Sequence, residues 1–137
     1  MRDSIEAGIM FNIIDGSQGV KADLVPLSRE PAYREAFSRR VRCVVVDPQG
    51  REFEIWCARP EDIVVGKLMA WQRGRSARHP SDIYAVLAFQ LGAPGAGDFD
   101  TGYVSAKAAA IGEEAEDLWQ TLLARVRREL ADDTPLF

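Results

Sequence analysis

The chain has 137 residues, 47% of them hydrophobic and 28% charged, with a formal net charge of −4. That length suits one domain with a sizeable core. The acidic balance argues against a general binder of nucleic acid or anionic membranes, since both need an excess of Lys and Arg; local arginine clusters stay open as anion sites. No run approaches the roughly 20 apolar residues of a membrane span, and Met1 to Glu6 hold no apolar signal core, so a soluble, cytoplasmic protein is expected.

In chain order, residues 8–15 (GIMFNIID) and 20–27 (VKADLVPL) are β-rich runs separated by Gly16-Ser17-Gln18-Gly19, a hairpin signal. Both parities of the second run carry apolar residues, which reads as a central, buried strand. Asp23 stands inside it. A buried carboxylate is costly unless a cation or hydrogen-bond donors offset the lost hydration, so Asp23 is expected to be a ligand or a salt-bridge partner. Residues 30–40 (EPAYREAFSRR) predict a short helix with Tyr33 and Phe37 on one face. A second hairpin follows, with strands at 42–47 and 51–58 around Pro48-Gln49-Gly50. It carries both cysteines. The register set by the turn places Cys43 opposite residues 53–55 rather than Cys57, so two reduced thiols are expected, not a cross-strand disulfide. With His79 the sole histidine and no Cys-x-x-Cys spacing, a structural zinc has no ligand set.

From residue 60 the pattern turns helical. Pro60-Glu61-Asp62 opens a helix to about residue 72, with proline in the first turn and acids at the positive end of the dipole. Residues 74–80 read as a loop, and Ser81 as the cap of a helix to about residue 91. Residues 92–97 (GAPGAG) are a connector, 100–111 a weaker helix, and 113–130 a longer one. In the last, Leu118, Leu122 and Val126 share a face, with Trp119, Leu123 and Leu130 alongside. Residues 132–137 are a polar tail. The sum is one α+β domain over residues 1–137, sheet-rich at 8–58 and helical at 60–130, with both hairpins in one small mixed sheet and helices on one side.

Polar residues on apolar stripes are the candidates for function. Helical spacing puts Lys67 near the middle of a stripe of Ile63, Val64, Leu68 and Trp71. There it either snorkels to water or aims at a carboxylate or a phosphate. Asp82, on a stripe with Val86 and Phe89, either serves the free N–H groups of its helix start or pairs with Lys67. Arg73, Arg75 and Arg78 surround His79 and form either a solvated surface or a receptor for an anion; a lone loop histidine is ordinarily solvated. Arg39, Arg40 and Arg42 pose the same choice. Phosphate loops, dinucleotide fingerprints, nucleophile elbows and zincin motifs are absent from the sequence.

The order FNIID, turn, VKADLVPL, helix ending FSRR, second hairpin, RPEDIVVGKLMAW, Arg-Ser loop and HPSDIYAVL resembles the nucleotidyltransferase-fold family, which includes minimal nucleotidyltransferases and AbiEii-type toxins. The resemblance covers about residues 8–126. It implies that Asp23 is the third acid of a Mg²⁺ site and a catalytic residue, and that Lys67 contacts the phosphates of an NTP. Arg75 and Arg78 are the candidate cations beside it. Asp82 looks like the acid of the helix behind, and His79 stands where the family often has a second acid. The implied reaction moves an NMP group from an NTP to a hydroxyl acceptor by two-metal chemistry. The family's Gly-Ser and D-x-D segments precede the strand matching FNIID, and the residues ahead of it here do not carry them. The expectation is a nucleotidyltransferase-like chain that is catalytically incomplete. The alternative is a non-catalytic assembly module, one half of a toxin–antitoxin-like pair, that recruits a second copy or a partner chain through an open sheet edge.

Overall fold

Two tight turns, each built around an aspartate, organise the first of two compact units, Met1–Cys57 and Ala58–Phe137. The computed structural model describes residues 10–28, 30–93 and 98–132. Residues 8 and 9 of the first expected strand, 94–97 of the connector and 133–137 of the tail lie outside them.

Strand β1 (Phe11–Asp15) pairs antiparallel with β2 (Val20–Leu24), Asn12 facing Asp23 and Asp15 facing Val20. Asp15 Oδ1 accepts from the Ser17 amide at 2.9 Å and the Ser17 hydroxyl at 2.6 Å, which starts the turn. After helix α1 (Pro31–Ser38), with proline in its first turn, strand β3 (Val41–Val46) pairs antiparallel with β4 (Glu52–Cys57). Here Asp47 Oδ1 accepts from the amides of Gln49 and Arg51, both at 2.9 Å, and Oδ2 meets Arg51 Nε at 2.7 Å. Gly50 supplies the left-handed backbone (φ +80°) that this turn requires of its last residue.

The single small sheet expected from the sequence is instead two separate two-stranded sheets. The apolar residues that made 20–27 look buried on both faces explain the difference. Val25 and Leu27 fall beyond the end of β2, and within it the alternation is simple: Val20, Ala22 and Leu24 on one face, Lys21 and Asp23 on the other. All five residues of β2 are exposed, and among the described residues of this unit none is buried. Cys43 does face Ile55, as the turn predicted, and both cysteines are free, half-buried thiols.

The second unit holds α2 (Pro60–Gly74), α3 (Arg78–Gly92), α4 (Thr101–Ile111) and α5 (Glu113–Asp132). Helices α2 and α5 each touch the other three, and their apolar stripes meet those of α3 and α4 in one core. Val64 and Leu68 of α2, Ile83 and Leu87 of α3, Val104 and Ala108 of α4, and Trp119 of α5 are fully buried there. Trp119 is satisfied as well as packed. Its Nε1 donates to Ser105 Oγ at 2.8 Å, and that hydroxyl donates to the Thr101 carbonyl at 2.9 Å. Gly112 alone separates α4 from α5, at φ +152° and ψ 164°, a backbone region essentially confined to glycine. Helix α3 begins at Arg78, earlier than the expected cap at Ser81, because Pro80 fits a first turn, where no intrahelical N–H is needed. Among the described residues, no helix is long and apolar enough to cross a membrane.

Candidate functional site

Lys67 and Asp82 meet. Lys67 sits at the edge of the buried stripe of α2, one position from Leu68, and reaches Asp82 on α3 with Nζ 2.5 Å from Oδ2. Arg78, one turn before Asp82, places Nε 3.9 Å from the same oxygen. The Lys67 ammonium holds the Asp82 carboxyl below its usual range, and the charges of Arg78 and His79 act in the same direction. Both side chains of the pair keep a third of their surface in water. Solvent therefore screens the attraction, and the pair serves more to fix how α2 lies against α3 than as a large source of stability. His79 Nδ1 is shielded from solvent without a hydrogen-bond partner.

The stripe expected around Lys67 and Asp82 shifts by one position. Ile63 is 41% exposed and Phe89 68% exposed, so they flank the core instead of entering it, while Val64, Val65 and Leu68 are buried. Arg75 is committed elsewhere. It closes α2 in the left-handed conformation (φ 55°), donates its amide to the Trp71 carbonyl at 2.8 Å, and lays its guanidinium 4.3 Å from the Trp71 ring centre. Its other partner is Glu114 of α5, whose carboxyl it holds low. The candidate phosphate contacts thus separate: Lys67 and Arg78 share Asp82, and Arg75 joins α2 to α5.

Asp23 is not the buried carboxylate that the sequence suggested. Its side chain is 48% exposed, Oδ1 accepts from Asn12 Nδ2 at 2.9 Å across the hairpin, and Lys21 Nζ lies 3.1 Å away. The Asn12 amide, with help from Lys21, lowers its carboxyl. No desolvation has to be offset on an open strand. As a Mg²⁺ ligand Asp23 fits poorly, because its two neighbours are hydrogen-bond donors and one is a cation, where Mg²⁺ needs converging oxygens. Among the described residues, no group of three or more His, Cys, Asp or Glu side chains is placed to hold a metal.

Sequence reasoning missed two features. Glu61 and Asp62, read as ornaments of the α2 dipole, are 6% and 8% exposed. Glu61 Oε1 accepts the Asp100 amide at 2.9 Å and Asp62 Oδ1 accepts the Tyr103 hydroxyl at 2.8 Å, so the starts of α2 and α4 are latched together. The second feature is an open cleft of about 190 Å³ lined by Pro80, Ser81, Tyr84, Leu122 and Arg125. Tyr84 donates its hydroxyl to Glu129, which Arg125 Nε also meets at 2.8 Å, and the tyrosine holds the Glu129 carboxyl low. Nothing in the spacing of these residues set them apart from ordinary surface positions of two amphipathic helices. Comparison with family models, curated proteins and solved structures finds no match for the chain.

Proposed function

We propose that the chain is a nucleotidyltransferase-like protein that is catalytically incomplete and works as a binding module, its hairpins completed by a second polypeptide. The observation that carries this reading is the contrast in burial. The helical unit encloses a core, whereas none of the described residues of the hairpin unit is fully buried. One face of β3–β4 is wholly apolar, formed by Val41, Cys43, Val45, Phe53, Ile55 and Cys57. Isolated two-stranded hairpins are marginal in water, and an apolar face beside strand edges that no other described strand pairs invites a further strand. Light scattering across a concentration series, together with amide exchange, tests the reading. The expected result is weak protection of the hairpin amides in the monomer, rising when a second copy or a partner chain binds. A monomer at every concentration whose hairpin amides are as protected as the helical core would overturn it.

The gathering of Lys67, Arg78 and His79 around Asp82 favours a second reading, in which this cluster receives the phosphates of an NTP. Binding would exchange Asp82 for a phosphate oxygen at Lys67. Melting with each NTP tests it, because a ligand at about 100 times its Kd adds roughly 2.7 kcal/mol. An upward shift that disappears in Lys67→Ala is expected; equal melting with and without NTP would refute it.

A further inference from the structure

Two aromatic rings of the hairpin unit stand in water beside arginines. Trp56 on β4 is 57% exposed and Phe37, near the end of α1, is 50% exposed. The chain leaves α1 through Ser38-Arg39-Arg40 and enters β3 at Val41, which sets Arg40 between the helix end and the hairpin. Arg40 Cζ lies 3.9 Å from the Phe37 ring centre and 4.7 Å from that of Trp56. Its Nη1 donates to the Phe37 carbonyl at 2.7 Å, which fixes the guanidinium in place. Arg42 stands directly opposite Trp56 in the β3–β4 register, 5.3 Å from the ring, with Nη1 3.2 Å from Glu54 Oε2. The four side chains form one contiguous cluster in which each guanidinium lies against a ring.

Charge distinguishes the two arginines. Glu54 neutralises Arg42, while among the described residues no carboxylate pairs with Arg40. The cluster therefore offers two half-exposed rings next to one cation that no described carboxylate neutralises. We infer that Phe37, Arg40, Trp56 and Arg42 form a binding site for a nucleobase with its adjoining phosphate, the unit carried by single-stranded nucleic acid and by free nucleotides. The base stacks on the exposed ring and guanidinium surfaces, which any base can do because every base has a π-face. The phosphate meets Arg40, whose planar fork suits two phosphate oxygens. Arg42, held by Glu54, keeps Trp56 oriented. Duplex nucleic acid is a poor ligand because its base faces are already stacked. With a net charge of −4, capture is by local contact and not by long-range attraction. Its salt dependence is correspondingly shallow, with a slope of about −0.7 for the single phosphate contacted on a flexible strand. The inference uses none of Lys67, Arg78 or Asp82 and stands apart from both readings above.

Fluorescence anisotropy of a short labelled single-stranded RNA, measured on the full chain, tests the site, with the same RNA annealed to its complement and with ATP as competitor. Single-stranded RNA is expected to bind more tightly than the duplex. Trp56→Ala and Arg40→Ala are each expected to weaken binding by roughly 5- to 100-fold, the range of one lost stacking partner. Trp56→Phe retains a ring and most of the affinity, and Arg127→Ala, on an exposed position of α5, leaves it unchanged. Displacement of the RNA by ATP assigns the base–phosphate unit to free nucleotides; failure of ATP to compete, with the strand bound, assigns it to the strand. The inference is overturned if duplex binds as tightly as single strand, if an acidic peptide binds equally well, if both alanine variants bind like the native chain, or if neither RNA nor ATP binds. Circular dichroism of each variant verifies that the fold is intact.

Discussion

Replacing Glu61 by alanine should be among the most damaging single changes to the helical unit that leave its apolar core untouched. The carboxylate is 6% exposed and accepts the Asp100 amide at 2.9 Å, just ahead of α4. Asp100 in turn caps that helix by accepting the Tyr103 amide on its own side chain at 2.8 Å. Hydrogen bonds to a charged acceptor contribute about 1.5–3 kcal/mol net. Glu61→Ala removes such a bond together with the packing of the side-chain stem, so a loss of about 2–3 kcal/mol is expected. Glu61→Gln keeps an acceptor oxygen and most of the packing and should lose only about 0.5–2 kcal/mol, the difference between a charged and a neutral acceptor. At roughly 5 °C per kcal/mol for a chain of this size, the alanine variant melts some 10–15 °C lower. Urea denaturation followed by circular dichroism gives the free energies. Tyr103→Phe removes the parallel contact to Asp62, and because both contacts join the same two helix starts, the double variant should lose less than the sum of the singles. Glu61→Ala within about 0.5 kcal/mol of the native chain, or strictly additive losses, would refute the latch.

Gly112→Ala should lose about 1–3 kcal/mol, because its Cβ meets only ordinary contact with Gln72 at 3.7 Å and the cost is the backbone conformation alone; chemical denaturation reads it. Trp119→Phe should lose less than Trp119→Ala, for which about 3–5 kcal/mol is expected, and the phenylalanine variant isolates the bond to Ser105. Asp82→Asn should show its effect through pH. A carboxyl held low in the folded state adds stability fully above the unfolded value of about 3.9 and loses it as pH falls through the lower folded value. Denaturation as a function of pH should therefore show a native–variant gap that is constant near neutrality and closes only in acid.

The helical half was legible because its signals are redundant. Proline and acids at the start of α2 and the four-residue spacing of Leu118, Leu122 and Val126 agree with the elements observed. The Lys67–Asp82 pair was legible for the same reason, as two charges at matching depths on consecutive helices. What misled was depth. Apolar content on both parities of 20–27 suggested burial, but periodicity reports which face a residue takes, not whether anything covers that face. Asp23 was misjudged on this ground. Glu61 and Asp62 were misjudged in the opposite direction, since their partners Asp100 and Tyr103 lie about forty residues away in sequence and local pattern carries no trace of such a contact.

The uneven burial of the two units also bears on how the chain is made. Synthesis delivers residues 10–57 ahead of the helices, and these residues emerge with Ile13, Ile14, Val44, Val46 and Trp56 exposed and, among the described residues, no enclosed core to retreat into. The helices that can close a core on their own follow later, linked by short connections that favour rapid assembly. For the interval between, protection from self-association rests on the charges interleaved along the strands. Lys21 and Asp23 on β2, Arg42 on β3, and Glu52 and Glu54 on β4 stand as gatekeepers against edge-to-edge pairing of nascent chains.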